Sequence, residues 1–237
     1  MTPKNGESVK NEQQSTPLIR VGAGQWEKGG DSASPCLLLA HGAGAGMDSD
    51  FMSCVATGLA KLGIRVYRFE FPYMQVRRQT GSKRPPDRAP KLLEHFAQEI
   101  NALEGPVVIG GKSMGGRMAS MLAAQADEVL ASRIKGVVAL GYPFHPAGKP
   151  ENLRIDHLPK LSAPMLVVQG TRDKLGDVDL ISALELPNSI AIHWCEDGDH
   201  DLKPRKSSGF SHEQHLTGAI EQVAKFVQAC VATSKIG

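Results

Sequence analysis

The 237-residue sequence has few cysteines, no long apolar run and no large excess of charge of either sign. No stretch reaches the ~18 apolar residues that a membrane span needs. The 27 Lys and Arg nearly balance the 25 Asp and Glu, and the net charge of +2 gives no reason to expect a nucleic acid or a membrane as partner. The cysteines form no C-x-x-C pair and no zinc-site spacing with histidine, so we expect reduced, buried side chains at Cys36, Cys54, Cys195 and Cys230.

The N-terminal residues 1–17 are polar and lack the apolar run of a signal peptide. We expect them to form a flexible tail on a soluble, cytoplasmic protein. The remaining residues, 18–237, have a length and apolar content suited to one large domain.

Short apolar, often β-branched runs alternate along the chain with longer segments of helical periodicity. This alternation is typical of a parallel sheet covered by helices on both faces. We therefore predict an α/β fold with a mostly parallel central sheet and no large cap domain. The predicted strands are 36–40, 64–71, 106–110, 134–140, 165–169 and 190–195, and the predicted helices are 51–62, 92–103, 117–125 and 215–231.

Two segments interrupt this alternation: 72–90, with five Lys and Arg, and 142–164, rich in Pro, His and Gly. Both follow strands, and ligands of open parallel sheets bind beyond the carboxyl ends of the strands, so we expect both segments to border a site. The basic stretch from Arg77 to Arg88 could recruit an acidic substrate or partner, although a solvated charged loop is the simpler interpretation.

A serine stands in the turn GKSMG, which begins at Gly111 and joins a predicted strand to a predicted helix. In such a G-x-S-x-G turn, strained backbone exposes the serine Oγ above the sheet, and the glycines two residues to either side avoid clashes. The N–H groups at the start of the helix can bind a developing oxyanion. The turn therefore predicts Ser113 as a nucleophile.

Two phosphate-binding motifs partly match this chain and fail on spacing. The Gly-Lys-Ser at Gly111 ends like a P-loop, which needs a glycine where this chain has Pro106. The loop from Gly42 begins like the dinucleotide fingerprint G-x-G-x-x-G, whose last glycine is replaced here by Met47. Its His-Gly pair is instead typical of oxyanion loops.

The expected oxyanion donors are the backbone N–H groups of Met114, which follows the serine, and of Ala43, with Gly44 as an alternative to Ala43. Each donor contributes ~3 kcal/mol in a transition state. We expect His41 to shape this loop, because its place in the chain order is wrong for a general base.

In sheets that carry such a serine turn, the acid and the histidine follow the serine in that order. Asp173 comes directly after the predicted strand 165–169, which makes it the candidate acid. The alternative candidates, Asp177 and Asp179, begin a predicted helical stretch and fit N-terminal capping charges better.

Four histidines come after Asp173, and only His200 lies in a polar loop just past a strand. His193 lies within the last predicted strand, while His212 and His215 open the final helix, where a solvated histidine is the ordinary expectation. The chain order therefore predicts His200 as the base.

With these residues identified, the chain from about residue 16 to 231 resembles the α/β-hydrolase superfamily, most of all its small lidless members related to dienelactone hydrolases. The phrases LLLAHGAGAGMDSDFM, YRFEFPYM, IGGKSMGGRMAS and VVQGTRDKLG are similar to the grouping that contains testis-expressed protein 30 and the α/β domain of NSL complex regulatory subunit 3. The resemblance implies Ser113, Asp173 and His200 as catalytic residues and Ala43 and Met114 as oxyanion donors. Dienelactone hydrolases use cysteine where this chain has serine.

These observations predict a serine hydrolase that cleaves a small-molecule carboxylic ester or thioester, with amide cleavage requiring the same groups. The alternative is a non-catalytic scaffold, which would not need a complete Ser-Asp-His set. We expect no cofactor and no metal, and the residues leave open whether the protein is a homo-oligomer. The candidate acyl-pocket residues, for which ordinary packing is the alternative, are Tyr73, Tyr142, Phe144 and His145.

Overall fold

The computed structural model describes residues 25–27 and 34–232. The predicted tail 1–17 lies outside the described residues, as do parts of the predicted domain 18–237. The two hydrophobic cores lie on opposite faces of one sheet. In the second strand, Leu37 and Leu39 belong to one core and Leu38 and Ala40 to the other, because successive side chains of a strand point to opposite faces.

The described sheet has seven strands in the order β1-β3-β2-β4-β5-β6-β7. Strands β2 to β7 are parallel to their neighbours, and β1 pairs antiparallel with β3. Since all six parallel strands end at the same edge, the loops after β2, β4, β6 and β7 meet there. The strands are β1 (Gln25–Glu27), β2 (Cys36–Ala40), β3 (Arg65–Phe69), β4 (Val107–Lys112), β5 (Ile134–Leu140), β6 (Met165–Gly170) and β7 (Ile190–Cys195).

Helices cover both faces of the sheet. The described helices are α1 (Asp50–Lys61), α2 (Pro72–Thr80), α3 (Ala89–Asn101), α4 (Met114–Gln125), α5 (Glu128–Arg133), α6 (Val178–Ser182) and α7 (His212–Ala232), with a 3₁₀ turn at Leu158–Lys160. Helices α1 and α7 pack on one core, and α3 and α4 pack on the other. No helix of the described part is long and apolar enough to cross a bilayer.

The predicted α/β fold is confirmed, and the six predicted parallel strands are present with small shifts at their ends. The predicted strand 64–71 ends at Phe69, because the chain turns at Glu70 and Phe71 and begins α2 at Pro72. Proline suits this first helical position, since its ring presets the backbone and its missing N–H would be unpaired there anyway. Helices α2 and α5 and strand β1 were not predicted: α2 is mostly polar, and β1 and α5 are very short.

The segment after β5 does not form a cap domain. Its side chains Tyr142, Phe144 and Leu158 are buried in the core that also contains α3 and α4. The cysteines of the described chain are all free thiols, as predicted. Cys54 is exposed, which corrects the expectation that all four are buried, because it lies on the outer face of α1.

Candidate active site

Ser113 lies between β4 and α4 with φ 52° and ψ −115°, a backbone conformation that residues other than glycine rarely adopt. Its N–H donates to the carbonyl oxygen of Leu140 at 2.9 Å, which ties the turn to β5. The flanking glycines are required by close packing: a Cβ on Gly111 or on Gly115 would overlap the carbonyl oxygen of Ala40. The strained serine predicted for this turn is therefore present.

The structure brings Ser113, His200 and Asp173 together in a line. Nε2 of His200 lies 2.8 Å from Oγ of Ser113, and Nδ1 of His200 lies 2.7 Å from Oδ2 of Asp173. A carboxylate can only accept a hydrogen bond, so Nδ1 carries the ring proton and Nε2 is left to accept from the serine hydroxyl. This is the hydrogen-bond arrangement that activates a serine nucleophile.

Asp173 has no exposed surface and is held by three donors. Besides His200, the backbone N–H of Leu175 donates to its Oδ1 at 2.8 Å, and Nε2 of Gln169 donates to its Oδ2 at 2.9 Å. Gln169 is itself completely buried, and its Oε1 accepts from the backbone N–H of Tyr142 at 2.7 Å. Gln169 thus fixes the carboxylate through its amide, a role that the sequence analysis missed. The signal was an amide at the end of the otherwise apolar strand β6.

The loop after β2 passes close to the serine. A Cβ on Gly42 would lie 3.8 Å from Cβ of Ser113. Ala43 follows Gly42 in the chain and is exposed. Met114 is the first residue of α4, where backbone N–H groups have no acceptor within the helix. Met114 thus follows the serine directly, and Ala43 lies one residue beyond the glycine that approaches it. That their N–H groups bind an oxyanion stays a prediction.

His41 and Tyr73 hold this loop in place. Nδ1 of His41 donates to the carbonyl of Gly42 at 2.7 Å, while its Nε2 accepts from the N–H of Phe71 at 3.1 Å. Burial lowers the pKa of His41 and keeps the ring neutral. The hydroxyl of Tyr73 donates to the carbonyls of Ala43 at 3.0 Å and Gly42 at 3.3 Å. His41 thus has the structural role predicted for it.

Lys112, directly before the serine, also contacts the loop that carries His200. Its Nζ donates to the carbonyl of His200 at 2.6 Å and lies 3.1 Å from Oδ1 of Asp201. Burial lowers the pKa of Lys112, while Asp201 acts in the opposite direction. In the sequence, this lysine stands only in the failed P-loop pattern. A charged residue at the end of a buried strand, however, needs a partner and could have been recognised on that ground.

The predicted acyl-pocket residues are mostly enclosed. Tyr142 and Phe144 are 0% and 1% exposed and pack edge to face with ring centroids 4.8 Å apart, and His145 is buried as well. Side chains packed in this way contact protein atoms and leave little surface for a ligand, and their role in an acyl pocket stays a prediction. Tyr73 is buried too, yet its edge borders a cleft of about 480 Å³ between α2 and residues 84–91.

Part of the basic stretch contacts the loop after β2. Arg77 donates to the carbonyl of Gly44 at 3.0 Å, and Arg78 forms ion pairs with Glu70 and Asp48. These two arginines are therefore not simply solvated charges, whereas Arg84 and Arg88 line the cleft beside Tyr73.

The alternative candidates for the acid and the base have other positions and contacts. Asp177 caps α6 by accepting from the N–H of Leu180 at 2.9 Å, as predicted. His193 is part of β7, and His212 begins α7, where it is half-buried and its Nε2 lies 2.9 Å from the carbonyl oxygen of Asp201. His215 is buried rather than solvated. Its Nδ1 donates to the carbonyl of Leu202, so it holds the same loop that Lys112 contacts. Among the described residues, no group of three His, Cys, Asp or Glu could hold a metal ion.

Residues 33–228 match the family described as alpha/beta hydrolase domain. Three solved structures share the fold. Est1E from Butyrivibrio proteoclasticus is 15% identical, with 88% of this chain and 94% of that chain covered and a TM-score of 0.62. Dienelactone hydrolase from Anabaena variabilis ATCC 29413 is 20% identical, with 90% and 96% covered and a TM-score of 0.64. An alpha-beta serine hydrolase homologue from Coxiella burnetii is 16% identical, with 94% and 98% covered and a TM-score of 0.59.

At these identities the three structures support the fold alone. The narrower resemblance to the grouping with testis-expressed protein 30 stays a prediction. Because the family match spans most of the sequence and the sheet order, serine turn and loop positions agree with it, the protein belongs to the alpha/beta hydrolase domain family.

Proposed function

We propose that the protein is a serine hydrolase that cleaves a carboxylic ester or thioester through Ser113, His200 and Asp173. The observation that carries the proposal is the line of two hydrogen bonds from Oγ of Ser113 through the His200 ring to Asp173, at 2.8 and 2.7 Å. A buried carboxylate, a strained serine and an imidazole in one line are costly to maintain, and a fold needs none of them for stability.

In this mechanism, Ser113 Oγ attacks the acyl carbon while Nε2 of His200 takes its proton. Asp173 holds the ring in the tautomer that accepts this proton and stabilises the imidazolium that forms. The N–H groups of Ala43 and Met114 bind the oxygen of the tetrahedral intermediate. His200 then protonates the leaving alcohol or thiol. Water next attacks the acyl-enzyme while His200 takes a proton from the water, and His200 returns this proton to Oγ of Ser113 as the acid leaves. No step requires a metal or an organic cofactor.

The first test is covalent labelling with a fluorophosphonate probe, which reacts with activated serines. We expect labelling of the wild-type protein at Ser113 and its loss in Ser113→Ala and His200→Ala. Ser182→Ala serves as the matched control, because Ser182 is an exposed serine at the end of α6. A folded wild-type protein that resists labelling would contradict the proposal and favour the scaffold alternative.

The second test is turnover of 4-nitrophenyl esters and of acyl thioesters across increasing acyl lengths. Ser113→Ala should lower kcat on the order of 10⁶-fold, and Asp173→Asn about 10⁴-fold, because the asparagine amide favours the wrong tautomer of His200. Labelling of Ser113 without turnover of any ester or thioester would instead point to another acyl group, such as an amide.

A further inference from the structure

The loop after β2 presents its carbonyl groups to helix α2. The hydroxyl oxygen of Tyr73 lies 3.0 Å from the carbonyl oxygen of Ala43 and 3.3 Å from that of Gly42, so one hydroxyl binds two successive carbonyls in a three-centre hydrogen bond. Arg77 lies one helical turn later on the same face of α2 and donates to the next carbonyl, that of Gly44, at 3.0 Å. Two side chains of α2 therefore bind a row of three successive carbonyls.

This orientation of the carbonyls fixes the direction of the neighbouring N–H groups. The peptide bonds of the described chain are trans, and in a trans peptide the N–H points opposite to the carbonyl of the preceding residue. The N–H groups of Ala43 and Gly44 therefore point away from α2. Neither N–H has an acceptor among the described residues 34–232, so both are open to a ligand.

The order of the strands shows what lies on the other side of this loop. Strand β2 lies between β3 and β4. Tyr73 follows β3 and Ser113 follows β4, so the two residues flank the loop after β2 from opposite sides. Gly42 approaches the serine turn closely, since a Cβ on it would lie 3.8 Å from Cβ of Ser113. The loop is thus held by α2 on one side and borders the serine turn on the other.

Two successive N–H groups that point to one side form a small concave surface of partial positive charge, which can bind an anionic oxygen. Glycine and alanine alternate in this loop from Gly42 to Gly46. Peptides next to glycine can rotate with little steric penalty, so the loop sequence by itself does not fix where its N–H groups point. The contacts from α2 supply this orientation. Burial raises the pKa of Tyr73, so its hydroxyl keeps the proton that it donates.

We propose that Tyr73 is a positioning residue whose hydroxyl turns two successive N–H groups, those of Ala43 and Gly44, towards the serine. The inference rests on the proposed function and extends the oxyanion site from two donors to three, with Met114 as the third. Tyr73 does not touch the reacting atoms. It acts through the loop carbonyls, and a developing oxyanion then meets donors that are already oriented.

The main variant is Tyr73→Phe, which removes the hydroxyl and keeps the ring. For a 4-nitrophenyl ester we expect kcat to fall about 10- to 100-fold and KM to stay within about threefold, because oxyanion donors act on the transition state and not on the bound ester. Arg77→Met should lower kcat only about two- to fivefold, since its hydrogen bond is exposed. This second variant tests the same loop if Tyr73→Phe does not fold.

Two matched controls remove the same groups elsewhere. Tyr67→Phe removes a hydroxyl that donates to Glu99 inside the core. Lys61→Met removes one positive charge at the exposed end of α1. Neither residue contacts the loop after β2, so kcat should stay within about twofold of the wild-type value in both.

A reactive ketone separates positioning from a general structural role. With hexyl trifluoromethyl ketone, Oγ of Ser113 adds to the ketone carbon, the serine proton passes to His200, and the former carbonyl oxygen becomes an anion. Its Ki in Tyr73→Phe should rise by about the factor by which kcat falls. The corresponding secondary alcohol cannot form this adduct and should bind the variant as it binds the wild-type protein. Equal weakening of both ligands would assign Tyr73 a structural role and overturn the proposal.

A readout that does not depend on turnover is nuclear magnetic resonance of the labelled protein. The carbonyl carbon resonances of Gly42 and Ala43 and the amide resonance of Gly44 should move in Tyr73→Phe and not in Tyr67→Phe. If the wild-type protein neither cleaves esters nor reacts with fluorophosphonate, the proposed function fails, and movement of these resonances still supports the orienting role of Tyr73. Unmoved resonances would overturn the proposal. In an active protein, so would an unchanged kcat in Tyr73→Phe, with or without a rise of KM.

Discussion

Replacing Lys112 with methionine should slow catalysis without unfolding the protein. The ammonium group joins the strand that carries Ser113 to the loop that carries His200, through the carbonyl of His200 at 2.6 Å and the carboxylate of Asp201 at 3.1 Å. Methionine has a similar length and an apolar end, so it fills the same space and removes these two polar contacts together with the contact of Nζ with the Phe51 ring, whose centroid is 5.3 Å away.

The magnitude follows from the two polar contacts of Lys112. A hydrogen bond from a charged donor contributes about 1.5–3 kcal/mol, and the ion pair adds less than about 1 kcal/mol because the side chain of Asp201 is 68% exposed. If the hydrogen bond keeps His200 within reach of Ser113, its loss lowers kcat/KM about 10- to 100-fold. The free energy of unfolding should change by less than about 1 kcal/mol, because methionine also removes the cost of burying a charge.

The assay measures kcat/KM for a 4-nitrophenyl ester and the rate of fluorophosphonate labelling, beside urea unfolding of the same preparations. Asp201→Asn is the control, since it removes the exposed ion pair and leaves the bond to the His200 carbonyl; we expect at most about a threefold effect. Full activity of Lys112→Met would refute the positioning role. A large loss of stability together with activity would refute the claim that the lysine acts on the loop alone.

Two further outcomes are expected. Gly141→Ala should reduce kcat/KM more than Gly148→Ala. Both glycines have φ near +70°, but only at Gly141 does the added Cβ meet the carbonyl oxygen of His200, at 2.7 Å. Equal losses of kcat/KM in the two variants would contradict this steric argument. Acid should destabilise the protein between pH 6.5 and 4 through His157, whose pKa burial lowers to about 4. The unfolded chain binds more protons in that window, so stability is complete above pH 6.5 and falls by about 1–2 kcal/mol towards pH 4, after allowance for the partial exposure of the ring. Urea unfolding at both pH values should show a smaller loss for His157→Gln; an equal loss would contradict this assignment.

The fold and the catalytic candidates could be read from the sequence because both depend on local patterns. Apolar runs such as the one before Ser113 are buried on both faces of a parallel sheet and carry no polar alternation. The serine turn depends on glycine spacing, and Asp173 and His200 each follow a strand in the required chain order. The short or polar elements could not be recognised in this way: α2 has only two buried side chains, Tyr73 and Met74, and so shows no clear helical period.

The sequence by itself determined the six parallel strands, the main helices between them and which three side chains could act together, since these follow from the order of residues along the chain. Only the tertiary structure decided what surrounds them. Gln169 fixes the carboxylate of Asp173, Lys112 holds the loop that carries His200, and Tyr142 is enclosed in the core. Lys112 and His200 are 88 positions apart in the chain, and such long-range neighbours are set by packing at the sheet edge, which no local pattern contains.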